Sequence, residues 1–296
     1  MLGIQSINLL KLQRILNVEL NVFGNRIKIY GKSKNVKKTE TVLNKVYDLI
    51  HNDEYENLNH GFSLFETELN MLENDVDSKN LIIKTWKRSI IPKTKGQKDY
   101  LNALSEFDLV FGLGPAGTGK SYLAVAKGVE LLKSNQVEKI VLSRPAVEAG
   151  ENLGFLPGDM KDKVDPYLRP IYDALYEMMP FDKVEKKILN GEIEIAPLAF
   201  MRGRTFQNSF VIIDEAQNTT PIQMKMILTR IGEGSKMVVN GDLSQVDIPN
   251  GIESGLSTAI KTLRDIKFIK LIKLSEKDVI RHPIVAEIIK AYDKKR

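Results

Sequence analysis

Apolar residues recur at helical spacing over residues 7–16 (INLLKLQRIL). They then alternate with polar ones over 18–23 (VELNVF) and 26–31 (RIKIYG). A period near 3.6 predicts a helix and a period of 2 predicts strands. Gly24-Asn25 between the alternating runs is a two-residue hairpin signal. Residues 33–50 return to helical spacing, with Val36, Val42, Leu43, Val46 and Ile50 on or near one face. The predicted order is α-β-β-α over residues 1–52, a module small enough to need packing against something else.

From about residue 105 the pattern becomes strand and helix in alternation. Strands are predicted at 107–114, 137–144, 193–198, 209–215, 235–242 and 266–274. Helices are predicted at 120–133, 167–179, 221–231 and 251–264, with a last one at 282–293. Short apolar strands separated by helices indicate a mainly parallel sheet covered on both faces, an α/β fold. Ligands in such folds sit at the carboxyl ends of the strands.

Composition narrows the chemistry. The 296 residues contain no cysteine, which removes disulfides, thiol nucleophiles and cysteine-ligated metals. His51, His60 and His282 form no metal-ligand spacing. No apolar run reaches the roughly 18 residues that span a bilayer, so no membrane partner is expected. The first twenty residues lack a basic segment ahead of the apolar one and a small-residue cleavage site, which reads as cytoplasmic. An amphipathic organellar presequence is the alternative.

The net charge of +5 is unevenly spread. Residues 1–50 carry +6, residues 51–80 carry −7 and residues 81–100 carry +5. The acidic stretch reads as a linker or surface helix over 53–80 and marks a domain boundary. The basic blocks leave two readings open, a nucleic-acid footprint or a solvated face.

Gly114-Pro115-Ala116-Gly117-Thr118-Gly119-Lys120-Ser121 matches the phosphate-binding P-loop, G-x-x-x-x-G-K-[ST], between a predicted strand and a predicted helix. Glycines let the backbone turn its N–H groups toward phosphate oxygens, and the helix N-terminus adds partial positive charge. Lys120 is expected to reach the β- and γ-phosphates, and the Ser121 hydroxyl to ligate Mg2+. The strand 210–213 ends in Asp214-Glu215, the Walker B arrangement. Asp214 is expected to hold the metal through water, and Glu215 to orient and deprotonate the attacking water. Gln245, after the strand ending in Gly241-Asp242, has an amide suited to sensing the γ-phosphate. Gln97, upstream of the P-loop, can read an adenine edge with its donor and acceptor, and Tyr100 can pack on the base.

With these residues in place, the chain resembles the PhoH family of P-loop ATPases, in its bacterial form without a fused nuclease. The strings that carry the resemblance include GPAGTGKSYLAVA, SRPAVEAGENLGFLPGD, MRGRTFQNSFVIIDEAQNTTP, VVNGDLSQVDIP and DVIRHPIV, within residues 80–296. Ser121 stands where threonine is common, and Ile222 where an acid is usual. The resemblance implies a RecA-like core over 81–296, related to helicases, that binds and hydrolyses ATP with Mg2+. It makes Arg281 a candidate arginine finger and places Arg144 where helicase-like proteins contact nucleic acid or couple it to ATP. Arg202 and Arg204 are candidates for contact with RNA or another subunit; for all four arginines a structural ion pair is the alternative. The α-β-β-α module resembles KH-like modules, without their G-x-x-G loop. With only one RecA-like domain, a second surface must come from a ring or another homo-oligomer.

The leading functional expectation is an ATPase acting on RNA, and the resemblance also implies a partner role with a metal-dependent endoribonuclease in rRNA maturation or RNA metabolism. A nucleotide-gated scaffold for that nuclease is one alternative, and a P-loop kinase another. Glu215 and Gln245 argue against the kinase.

Overall fold

A computed structural model describes residues 7–24, 26–51, 65, 81–145, 160–248 and 251–280. The chain divides into two compact units, Met1–Ile82 and Ile83–Arg296.

The first unit contains α1 (Ile7–Leu16), β1 (Val18–Phe23), β2 (Arg26–Gly31) and α2 (Ser33–His51). The strands pair antiparallel, with Val18 opposite Gly31 and Phe23 opposite Arg26. Leu9, Leu12 and Leu16 meet Val18, Leu20, Val42, Leu43 and Val46 in one core. Thr39 is also fully buried, and its hydroxyl donates to the Asn35 carbonyl one turn back at 2.7 Å. Phe65, from the middle of the acidic stretch, is fully buried in the same core. At least this residue therefore contributes to packing rather than only linking two parts.

The second unit opens with a short hairpin, β3 (Ile83–Lys84) and β4 (Ser89–Ile90), followed by α3 (Lys95–Glu106). Next come β5 (Leu109–Leu113), α4 (Lys120–Lys133), β6 (Lys139–Ser143), α5 (Met160–Met178), α6 (Phe181–Leu189) and β7 (Ile193–Ile195). The unit continues through β8 (Ser209–Ile213), α7 (Pro221–Leu228), β9 (Lys236–Gly241), α8 (Gly255–Leu263) and β10 (Ile269–Lys273). Six strands form one parallel sheet in the order β10-β5-β9-β8-β6-β7.

Every residue of β5 and β8 is buried, as expected for strands covered on both faces. One face carries Phe111, Val141, Val211, Ile213 and Val239, packed against Met224 and Ile227 of α7 and Leu256 of α8. The other face receives α4, which packs on β6, β8 and β9. The edge strand β10 exposes Lys270 and Lys273, which discourages further strand pairing.

Several boundaries differ from the periodicity. The strand predicted over 193–198 ends at Ile195, because a turn of 3-10 helix starts at Leu198 behind Pro197. The helix predicted from 167 begins at Met160, and the one predicted over 251–264 begins at Gly255. Helix α6 is absent from the predicted elements although Phe181, Val184 and Ile188 stand at helical spacing, and the two-residue strands of the β3–β4 hairpin are too short to show a period. The helix predicted over 282–293 lies outside the described residues. Among the described residues no helix is long and apolar enough to cross a membrane.

Candidate active site

The carboxyl ends of β5, β9 and β8 lie side by side in the sheet. They deliver the segments beginning at Gly114, Asp242 and Asp214 to one place. A cavity of about 450 Å³ opens there, lined by Gly117, Lys120, Ser121, Asp214, Glu215 and Gln245, among others.

The loop after β5 takes its shape from glycines. Gly117 and Gly119 have φ of +85° and +83°, a region that favours glycine. At Gly114 a side chain would lie 2.6 Å from the Leu274 carbonyl oxygen. Helix α4 then starts at Lys120 with Gly119 as its cap, so the free N–H groups of its first turn open at the loop. The Thr118 hydroxyl closes the loop by donating to the Pro115 carbonyl at 2.9 Å.

Lys120 folds back over this loop. Its ammonium donates to the carbonyls of Gly114 at 2.5 Å and Pro115 at 3.0 Å. Burial lowers the lysine pKa, and the nearby Asp242, Asp214 and Glu215 carboxylates oppose that shift. The charge is therefore held by loop carbonyls within a ring of acids.

Ser121 and Asp214 come from α4 and the end of β8, 93 positions apart, and the Ser121 hydroxyl donates to Asp214 Oδ1 at 2.6 Å. Burial pushes the Asp214 carboxyl above its ordinary range, with the Ser121 hydrogen bond acting in the opposite direction. The pair is a hydroxyl and a carboxylate side by side on the cavity wall, the hard-oxygen donor set that suits Mg2+. Among the described residues no group of three or more His, Cys, Asp or Glu could hold a metal alone. A cation here would thus draw further ligands from water and phosphate, as Mg2+ does.

Glu215 has φ +52° and ψ +37°, a left-handed backbone that a non-glycine residue rarely adopts. Such strain persists only where surrounding contacts enforce it. Those contacts are Arg144 Nη2 on Oε1 at 3.2 Å and Gln217 Nε2 on Oε2 at 2.6 Å. Gln217 is almost fully buried and also accepts the Asp242 backbone N–H at 3.0 Å. It thereby ties the end of β8 to the end of β9. The reading of the sequence passed over Gln217, although it stands two residues after Glu215 in the same string. Gln245 lines the cavity, and its amide donates to Asp242 Oδ2 at 2.9 Å.

On α3, the two side chains expected at the base are engaged within the fold. Gln97 is buried, and both halves of its amide are used by backbone. Nε2 donates to the Thr118 carbonyl at 3.0 Å, and Oε1 accepts from the Lys93 N–H at 2.8 Å. In this structure Gln97 braces the phosphate loop from behind. Tyr100 is fully buried, and its phenol donates to Asn240 Oδ1 at 2.6 Å. It packs beneath the loop rather than on a base.

Asp278 joins this brace. It accepts from the Thr94 hydroxyl at 2.5 Å and the Ser275 N–H at 2.8 Å, while the Ile280 N–H donates to the Gly117 carbonyl at 3.0 Å. Arg204 does not line the cavity and forms a two-pronged ion pair with Glu194. Arg202 is exposed. Arg281 lies outside the described residues.

Comparison with known proteins places these features in a family. The family model for PhoH-like protein matches residues 89–293. A PhoH-like protein of Bacillus subtilis is 60% identical over 207 residues, covering 70% of this chain and 65% of the relative. A PhoH-like protein of Mycobacterium tuberculosis is 46% identical over 295 residues, covering 99% of this chain and 84% of the relative. Protein PhoH of Escherichia coli is 41% identical over 205 residues, covering 69% of this chain and 58% of the relative. Among solved structures, Pif1 helicase from Candida albicans aligns with 68% of this chain and 43% of its own, at 17% identity and a TM-score of 0.37.

Proposed function

Because the chain belongs to the PhoH family and folds as a P-loop NTPase core, we propose that it binds ATP with Mg2+ and hydrolyses it, in a role tied to RNA. One observation carries this reading. Lys120, Ser121, Asp214 and Glu215, drawn from two strand ends, converge on a single cavity.

In this reading the backbone N–H groups of 114–121 cradle the phosphates. Lys120 exchanges its loop carbonyls for phosphate oxygens, and Ser121 and Asp214 hold the cation. A bound Mg2+ neutralises charge on the β- and γ-phosphates. Glu215, fixed by Arg144 and Gln217, orients a water beside the γ-phosphorus. The new bond forms from the water oxygen to phosphorus, and the water proton passes to the Glu215 carboxylate. The bond from phosphorus to the bridging oxygen breaks, and ADP carries those electrons away. Gln245 is the sensor of the γ-phosphate and Arg281 the arginine finger, in cis or from a second copy in a homo-oligomer. RNA as the partner rests on the basic blocks of the sequence and on the family resemblance.

The test is steady-state phosphate release from ATP, with and without single-stranded RNA, beside Lys120→Ala. RNA-stimulated release that vanishes in the variant is expected. Slow release indifferent to RNA at low salt would remove the RNA part and favour a nucleotide-gated scaffold for an endoribonuclease. Phosphate delivered to an acceptor other than water would favour a kinase.

A further inference from the structure

The basic block at 81–100 is left unused by the nucleotide site. The fold gives half of it a new setting. Lys84, Lys87 and Arg88 lie in and around the β3–β4 hairpin, whose turn carries Trp86. Helix α6 brings further lysines to this turn from about a hundred positions away. The Lys183 ammonium sits over the Trp86 ring at 4.9 Å from its centre, and that of Lys187 at 5.3 Å. Lys183 and Lys186 are exposed, and Trp86 is half-buried. The acids nearby are largely engaged. Glu192 pairs with Lys187, Glu177 with Arg88 at 3.0 Å, and Glu185 accepts the Tyr176 hydroxyl at 2.8 Å.

The Lys183 and Lys187 ammonium groups both lie over the half-buried indole ring, a place that a base of a polynucleotide strand can take over. Every base has a face that stacks on an aromatic ring, and nearby ammonium groups attract the phosphates of the strand. An acidic protein would satisfy the lysines and leave the ring without a stacking partner. The same face reaches the nucleotide cavity. Arg88 Nη1 holds Glu177 Oε2, which also accepts the Tyr122 hydroxyl at 3.2 Å. Glu177 and Tyr122 both line the cavity, and Tyr122 directly follows Ser121.

We propose that the β3–β4 turn and α6 form a binding face for single-stranded RNA, in which a base takes the place of the Lys183 and Lys187 ammonium groups on Trp86 and those groups turn to its phosphates, Lys187 leaving Glu192 to do so. The proposal rests on the RNA reading above and adds the place. Its link through Arg88 and Glu177 gives bound RNA a direct route to the wall of the nucleotide cavity.

Trp86 is the only tryptophan in the chain, so its emission reports on this face alone. The experiment titrates the full chain with a 5′-labelled oligouridine, reading label anisotropy and tryptophan emission together at several salt concentrations. Emission is expected to be quenched in step with the anisotropy rise. Lys183→Ala with Lys187→Ala is expected to weaken binding by about tenfold and to reduce the salt slope by about 1, the loss of one to two phosphate contacts. Unchanged circular dichroism of the double variant would separate this from misfolding.

Rising anisotropy with constant emission, and unaltered binding by the double variant, would overturn the face while leaving RNA binding intact. No anisotropy change at low salt would overturn both. Quenching by polyglutamate as complete as by RNA would overturn the nucleic-acid assignment in favour of an acidic protein.

Discussion

Several charged side chains of the cavity face partners far away in the chain. Ser121 meets Asp214, Arg144 meets Glu215, and Lys120 lies among three acids. Asp214 bears the largest conflict between stability and chemistry. Its carboxyl is buried, and burial raises its pKa above the unfolded value. A carboxyl with a raised folded pKa favours folding only while protonated, and that contribution is lost as pH rises through the folded pKa. At neutral pH the ionised group therefore opposes folding. Asp214→Asn should raise the melting temperature by a few degrees at neutral pH while abolishing phosphate release, the trade expected at a functional site. The gain should shrink as pH falls toward the ordinary carboxyl pKa of about 3.9. Thermal unfolding of both chains from pH 8 to pH 4 checks this, and a difference independent of pH would refute it.

Among the elements, α4 matters most, because it both caps the phosphate loop and covers one face of the sheet. Its close approach depends on Gly128. A methyl group there would come within 2.9 Å of the Phe210 ring on β8 and 3.5 Å of Ile140 on β6. Phe210 is fully buried and has no room to retreat. Gly128→Ala improves helix propensity by about 1 kcal/mol, but overpacking a tight core costs about 1–3 kcal/mol. A net loss of stability in urea is expected, together with a raised KM for ATP as α4 tilts its N-terminus away from the phosphates. A stabilised variant with unchanged KM would show that the contact is slack. Helix α3 works from the other side, through Gln97 on the Thr118 carbonyl and Tyr100 on Asn240.

At the scale of the whole molecule, nucleotide binding should be written in the stability of one unit. The cavity lies wholly within Ile83–Arg296. A non-hydrolysable ATP analogue with Mg2+ at a hundred times its Kd adds about 2.7 kcal/mol to that unit. For a unit of this size that is a rise of roughly 5–10 °C in its transition. Calorimetry should show the shift in the unmodified chain and none in Lys120→Ala. A shift that persists in the variant would place the nucleotide elsewhere.

The division between sequence and structure follows from the range of the interactions involved. Local order alone determined the alternating strands and helices, the αββα module, the P-loop and the Asp214-Glu215 pair. Glycine at 114, 117 and 119 and carboxylates at a strand end are dictated by backbone conformation and by the charge of phosphate, both of which act over a few residues. The roles of Gln97 and Tyr100 were decided by tertiary packing. Their helix turns its polar side chains into the loop, where buried backbone groups require partners. Gln217, and the pairing of Arg144 with Glu215, became visible only when the parallel sheet set β6, β8 and β9 side by side, bringing Glu215 and Asp242 within hydrogen-bonding distance of them. Trp86 acquired its lysines in the same way, because α6 follows the chain by a hundred residues yet packs where the hairpin turns.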